Sequence, residues 1–436
     1  MSGITVGIIG VLAALSLIAL RVPIAVSLGV VSFLGIIELT NVKAAWGIIT
    51  AVPFNFIGNW SFTAVPMFLL MGYICTTSGM TTGLFKAMRV CLSRLPGGLA
   101  IASVGACAMF AAASGSSVAT ASAMARIAVP EMLRNKYDPG LSTGVIAASG
   151  TLGSLIPHSI LMVLYGVYAE VSIGKLFMAG FLPGLLSAVL YFAMIVLRVK
   201  INPKLAGAVD EQFSSQEKWD AIKEVWALPA LIFFVLGGIF GGFFTPTEAG
   251  AVGAFFASIL AVSRRKFSLS NALEALTATA RGTGSIFIIL IGTIFLTKFL
   301  ALSGLPTWLA DQMLSVSASV VWVILSVAIL YVVLGMFVDS IGLLLLTLPL
   351  ILPIAVGADM NLIWFGIILI KLLEIGLVSP PVGLNVYVIK GAVGNSVSIQ
   401  KIFQGVFWFI IMDLIALLLI IIFPSLSLYL PSIMDI

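Results

Sequence analysis

Asp339 and Glu374 each stand within a long apolar stretch of this chain. A carboxylate at membrane depth costs roughly 3 kcal/mol or more, so by default it marks a function. Ser114, Gly115, Ser116 and Ser117 form a second cluster, hydroxyls among small residues in the middle of another apolar segment. Hydroxyls, carboxylates and carbonyls freed at a helix break are ligands for Na+, and free helix starts attract anionic groups. These residue types suggest two cation sites. The first takes Ser114, Ser116 and Ser117 with Ser149, Gly150 and Gly153, and the second takes Gly335 and Asp339 with Gly376, Ser379 and Asn385. Ser116, His158, Glu374 and Asn385 are candidate contacts for substrate. Each has a plainer reading. Small residues let helices approach closely, Asp339 fits an interface, and Glu374 fits a pairing with Lys371 three residues earlier. His158 also suits a neutral, hydrogen-bonded slot beside Pro157, and Asn385 suits a backbone cap.

The elements that hold these residues must be membrane helices. Of 436 residues 61% are hydrophobic and only 9% charged, and the mean hydropathy is +1.21. Apolar stretches of spanning length recur, and they are continuous rather than alternating, which excludes a β-barrel. The fold class is therefore an all-α polytopic membrane protein. The net charge of +5 reflects loop lysines and arginines placed by topology, so nucleic acid is not an expected partner and the bilayer is. Cys75, Cys91 and Cys107 lie singly in apolar stretches, and one histidine argues against a zinc site. Residues 4–20 lack a basic leader and a cleavage site, so they read as a first span whose amino terminus lies outside.

A shift of 223 positions lays the second half over the first: Pro23 falls on Pro246, Pro130 on Pro353, Gly153 on Gly376 and Pro157 on Pro380. Each half then reads as three helices, a re-entrant hairpin, a broken helix and a last helix. Five crossings per half invert the second copy, so both termini lie outside. The halves are residues 1–200 and 226–436, joined by a polar, amphipathic cytoplasmic connector at 201–225. All basic residues except Lys43, Lys175, Lys298 and Lys371 fall on the cytoplasmic side or its boundary. The hairpins are expected over 97–125 and 319–356, and the breaks at 149–157 and 374–383. Duplicated halves with interrupted hydrophobic segments at matching positions point to a secondary transporter whose site lies at the interruptions. Ser116 falls on Asp339 at this shift, which places a hydroxyl and a carboxylate at related tips.

The motifs Ser-Gly-Ser-Ser at 114–117, Gly-Thr-Leu-Gly-Ser-Leu-Ile-Pro at 150–157 and Thr-Pro-Thr-Glu-Ala at 245–249 resemble the large membrane subunit of tripartite ATP-independent periplasmic (TRAP) transporters. So do Gly-Met-Phe-Val-Asp at 335–339 and Glu-Ile-Gly-Leu-Val-Ser-Pro-Pro-Val-Gly-Leu-Asn at 374–385. The resemblance covers nearly the whole chain. It implies an elevator-type, Na+-driven importer of organic acids in the bacterial inner membrane. It also implies a small four-helix membrane subunit, not fused to this chain, and a periplasmic substrate-binding protein. Pro157, His158, Ser159 replace the family's usual Pro-Pro-Ser, which bears on the local cavity chemistry. A small carboxylate or sulfonate is the expected substrate. No Gly-x-x-x-x-Gly-Lys-Ser/Thr loop occurs, so nucleotide hydrolysis is not this chain's own energy source. A stand-alone Na+/dicarboxylate symporter with similar hairpins is the alternative. An intramembrane enzyme would need paired acids or a metal centre, and a channel would need a continuous conducting pore.

Overall fold

The computed structural model describes residues 1–207, 213–264, 268–317 and 319–434. Arg265 and Lys266, used above to orient the chain, and residues 208–212 of the connector lie outside the described residues. The first half consists of α1 (Gly3–Ala19), α2 (Ile24–Leu39), α3 (Val42–Ile57), α4 (Ala64–Thr77), α5 (Leu84–Leu92), α6 (Gly98–Ser114), α7 (Ser117–Arg134), α8 (Pro139–Gly150), α9 (Ile160–Tyr168) and α10 (Ile173–Ile201). Then follow α11 (Ser215–Val225), α12 (Ala227–Phe240), α13 (Pro246–Ser263), α14 (Leu269–Ser303), α15 (Leu305–Val316), α16 (Val320–Gly335), α17 (Ser340–Gly357), α18 (Leu362–Val378), α19 (Leu384–Val393), α20 (Ile399–Ile422) and α21 (Ser425–Ser432). No strand occurs among the described residues. Among the described residues six helices, α10, α13, α14, α17, α20 and the run Trp60–Thr77, are long and apolar enough to cross a membrane. A seventh span results if α11 and α12, bent by 51° at their junction, are counted as one.

Moved by 223 positions, α7 occupies 340–357, the bounds of α17, and α6, α8, α9 and α10 overlap α16, α18, α19 and α20. The first-half stretch 42–77 departs from this pattern. There α3 and α4 are separated by a short 3-10 turn, whereas α14 runs unbroken over 35 residues. Pro53 weakens the end of α3, and the Asn59 side chain accepts the Ser61 N–H at 2.9 Å to start a new turn. At the shifted positions Leu276 and Gly282 do neither. The long α14 starts at Leu269 because the Ser268 side chain accepts the Asn271 N–H at 3.1 Å.

Lipid offers no water to the free N–H groups at a helix start. The sequence supplies side chains instead: Asn41, Ser116, Asp138, Ser172, Ser319, Asp339, Asn361 and Ser398 each accept a backbone N–H at their own helix start. Glu248 follows the same logic. Its carboxylate accepts the Thr245 N–H at 2.8 Å in a capping box, so it is a structural residue at the start of α13.

Both expected hairpins form, α6 with α7 and α16 with α17. The first turns through Gly115 at φ 61°, where a Cβ would sit 2.5 Å from the His158 carbonyl oxygen, so the tip seats only a glycine against the neighbouring break. Both expected breaks also form. The first is a 3-10 turn, Thr151–Ser154, followed by irregular backbone to Ser159, and the second lies between α18 and α19 and contains a cis Pro380–Pro381 bond. The limbs interlock across the halves, α9 packing on α17 and α19 on α7.

Candidate functional site

One cavity, about 100 Å³, gathers residues from both hairpin tips and both interrupted regions. Ser116 and Ser117 come from the first tip, Asp339 and Ser340 from the second, Ser154 from the first break, and Glu374 and Leu377 from the end of α18. The lining contains two carboxylates and several hydroxyls, and no lysine or arginine. Ser116 and Asp339 occupy the same role: each is the residue before its helix, and each side chain accepts a backbone N–H of that helix, at 3.4 Å from Ala119 and 3.0 Å from Gly342. The starts of α7 and α17, the positive ends of their dipoles, therefore face the same space.

Glu374 is buried at its edge. Ser117 Oγ donates to Glu374 Oε2 at 2.8 Å and Ser154 Oγ to Oε1 at 2.5 Å, while the two hydroxyl oxygens lie 2.7 Å apart. Three oxygen–oxygen contacts share two hydroxyl protons. With Glu374 ionised one contact lacks a proton, a deficit that a proton on the carboxyl or a cation among these oxygens would remove.

Lys371 does not pair with Glu374, which corrects the i,i+3 reading. Its ammonium instead lies 2.5 Å from Asp413 Oδ1 and 2.9 Å from Ser187 Oγ, and Tyr191 donates its hydroxyl to Asp413 Oδ1 at 2.6 Å. Lys371 and Asp413 are each 1% exposed, so α10, α18 and α20 are joined by a fully buried charge pair. Inside a membrane protein such a pair persists only when each charge finds a partner.

The other expected site residues divide by position. Ser114 bonds Thr120 Oγ1 at 2.9 Å beneath the first tip. Gly150 and Gly153 lie against the first hairpin: a Cβ at Gly150 would be 3.1 Å from the Ser117 carbonyl oxygen, and one at Gly153 3.0 Å from Ala111 Cβ. Gly335 and Gly376 touch backbone to backbone, since a Cβ at Gly376 would be 2.7 Å from Gly335 Cα. Ser379 donates to the Ile375 carbonyl at 2.7 Å. Asn385 donates to the Ala147 carbonyl at 3.2 Å and leaves Oδ1 buried and unpartnered, as is the hydroxyl of Ser149 two residues further on. These are residues behind the cavity, not on its wall. His158 is also buried behind it, at φ 88°, with Nδ1 3.1 Å from the Ala112 carbonyl oxygen and its ring 5.1 Å from that of Phe68.

Ser154, Ser340 and Asp413 were not singled out from sequence. Asp413 carried a usable signal, being the acid inside the apolar run 405–422 of α20. Ser154 and Ser340 carried none, because a serine in an apolar segment is common.

The profile described as "Tripartite ATP-independent periplasmic transporter, DctM component" matches residues 10–426. The C4-dicarboxylate TRAP transporter large permease protein DctM of Pseudomonas aeruginosa is 35% identical over 379 residues, 86% of this chain and 87% of that protein. The sialic acid TRAP transporter large permease protein SiaM of Vibrio cholerae is 32% identical over 86% of this chain and 87% of its own length. The isethionate TRAP transporter permease protein DctMQ of Oleidesulfovibrio alaskensis is 32% identical over 94% of this chain, which spans 63% of that longer protein. Among solved structures, the YdaH transporter of Alcanivorax borkumensis shares the fold with a TM-score of 0.64 at 12% identity, covering 89% of this chain and 90% of that one. These relatives are transporter permeases rather than enzymes. This chain belongs to the DctM family, the large membrane permease subunits of TRAP transporters.

Proposed function

We propose that this permease imports a small organic anion, a carboxylate or sulfonate, together with Na+, and that the ions and the anion meet in the cavity between the two hairpin tips. The observation that carries this reading is the cavity's composition: Asp339 and Glu374 on its wall and no lysine or arginine. An anion entering beside two carboxylates is repelled unless cations enter with it. Na+ bound by hydroxyls, carboxylates and carbonyls supplies both the charge balance and the driving force, about 2.3 kcal/mol per ion per 100 mV of membrane potential. The helix starts of α7 and α17 then offer backbone N–H dipoles to the anion itself. The unpartnered oxygens of Ser149 and Asn385 supply further cation ligands behind the cavity.

The substrates that the relatives are named for, C4-dicarboxylates, isethionate and sialic acid, share an anionic group and differ in all else. They support the class proposed and leave the body of the molecule to be found. A small membrane subunit and a secreted binding protein complete the transporter on this reading. The halves are inverted, and both hairpins and both broken helices travel together across the membrane. Uptake of labelled candidate anions into proteoliposomes holding the complete transporter tests the proposal. Uptake is expected with an inward Na+ gradient and absent when K+ or choline replaces Na+. Full uptake driven by a proton gradient alone overturns it, and uptake by this chain without partners favours the stand-alone symporter.

A further inference from the structure

A groove of about 440 Å³ opens between α10 and α20, apart from the cavity described above. Leu190, Met194, Leu197 and Ile201 form one stripe along α10, faced by Trp408 and Met412 of α20. The stripe covers eleven residue steps, about 16 Å at 1.5 Å per residue, close to half of a hydrocarbon core of about 30 Å. Polar side chains line one end only, where Arg198 and Asn202 stand at the close of α10 with Lys200 and Lys204 exposed beside them. That asymmetry, a long apolar trough with cations at one end, is the shape and polarity of a phospholipid.

The guanidinium at that end is only partly satisfied. Arg198 lies over the Trp408 ring, 4.9 Å from its centroid, which fixes the side chain at the mouth of the groove. Its Nη1 is buried and has no hydrogen-bond partner, and Arg198 makes no ion pair among the described residues. Asp138, the acid at the start of α8, attracts Arg198 electrostatically but forms its ion pair with Lys401, at 3.1 Å. A guanidinium matches the oxygens of a phosphate in geometry and charge. The positive-inside rule puts this basic end at the cytoplasmic surface, where anionic lipids collect, and basic pockets between helices on that side bind acidic headgroups.

We infer that the groove binds one anionic phospholipid of the inner leaflet, its phosphate on Arg198 and an acyl chain along the α10 stripe. The anionic class follows from the three cations at the mouth, since a zwitterionic headgroup would set its own ammonium against them. The site is independent of the transported anion and of Na+.

The complete transporter, purified from membranes containing phosphatidylglycerol and phosphatidylcholine, tests this by native mass spectrometry of retained lipid. The wild type is expected to keep one phosphatidylglycerol per chain at this groove, at least fivefold enriched over phosphatidylcholine. Arg198→Gln should lose that preference, and Ala193→Trp, which fills the groove from an exposed position, should lose the lipid itself. Inorganic phosphate at millimolar concentration should not displace it. Unchanged enrichment in Arg198→Gln, unchanged retention in Ala193→Trp, or displacement by phosphate alone would each overturn the site. Lipid found on the isolated chain but missing from the whole transporter would show that a partner subunit occupies the groove, which also overturns it.

Discussion

Glu374 draws its partners from elements far away in sequence, Ser117 and Ser154, whereas its near neighbour Lys371 is committed to Asp413. The two acids therefore do different work. Asp339 and Glu374 line the cavity, and replacing either by its amide, Asp339→Asn or Glu374→Gln, should weaken Na+ affinity at least tenfold while the protein still assembles. Isothermal titration of the purified permease with Na+ measures this, and unchanged affinity in either variant makes that residue structural. Ser116→Ala should have a smaller effect on stability, about 1 kcal/mol or less, since its capping bond is long at 3.4 Å. Asp413→Asn should behave differently. Breaking a buried pair costs about 3–5 kcal/mol because one charge is left unpaired, and the freed Lys371 ammonium lies one turn from Glu374. Asp413→Asn should thus lower both the unfolding temperature and transport, and the double change Lys371→Met with Asp413→Asn should recover much of the stability. A double variant less stable than Asp413→Asn alone would contradict this.

The helices and their interruptions were legible in the sequence because lipid makes them so. A continuous apolar run must be a helix, and Gly or Pro inside it must be a break that protein satisfies. Ser114 to Ser117 and the stretch ending at Asp339 were therefore placed at hairpin tips from sequence alone, and the tips form there. The pairing of Lys371 was not legible, because i,i+3 spacing is visible in a sequence and the approach of α20 to α18 is not. The close backbone contacts between elements make a separate prediction. Gly376→Ala places a methyl against the backbone of Gly335, which must force α16 and α18 apart. Overpacking of this kind costs typically about 1–3 kcal/mol, so the variant's unfolding temperature in detergent should fall, and an unchanged value would mean that the helices separate freely.

Across the whole molecule, the ligands proposed for ion and anion all come from the interrupted segments, so pulling those segments apart would destroy the site. The hairpins and broken helices should move as one body against α1, α2, α12, α13 and the long α14. Met109 of α6 and Leu236 of α12 line one apolar groove between the two groups. Cysteines at these positions, in a chain freed of Cys75, Cys91 and Cys107, should arrest uptake once cross-linked and leave Na+ binding intact. Full turnover after complete cross-linking would contradict collective motion and favour gating around a fixed site.

The central claim is that anion and Na+ share one carboxylate-lined cavity. Parallel uptake of radiolabelled Na+ and anion in the same proteoliposomes tests it most directly. The account predicts coupled entry with more than one Na+ per anion, and loss of both fluxes in the Asp339→Asn, Glu374→Gln double variant. Anion entry that proceeds without any Na+ flux, or survives in that variant at the wild-type rate, would contradict it.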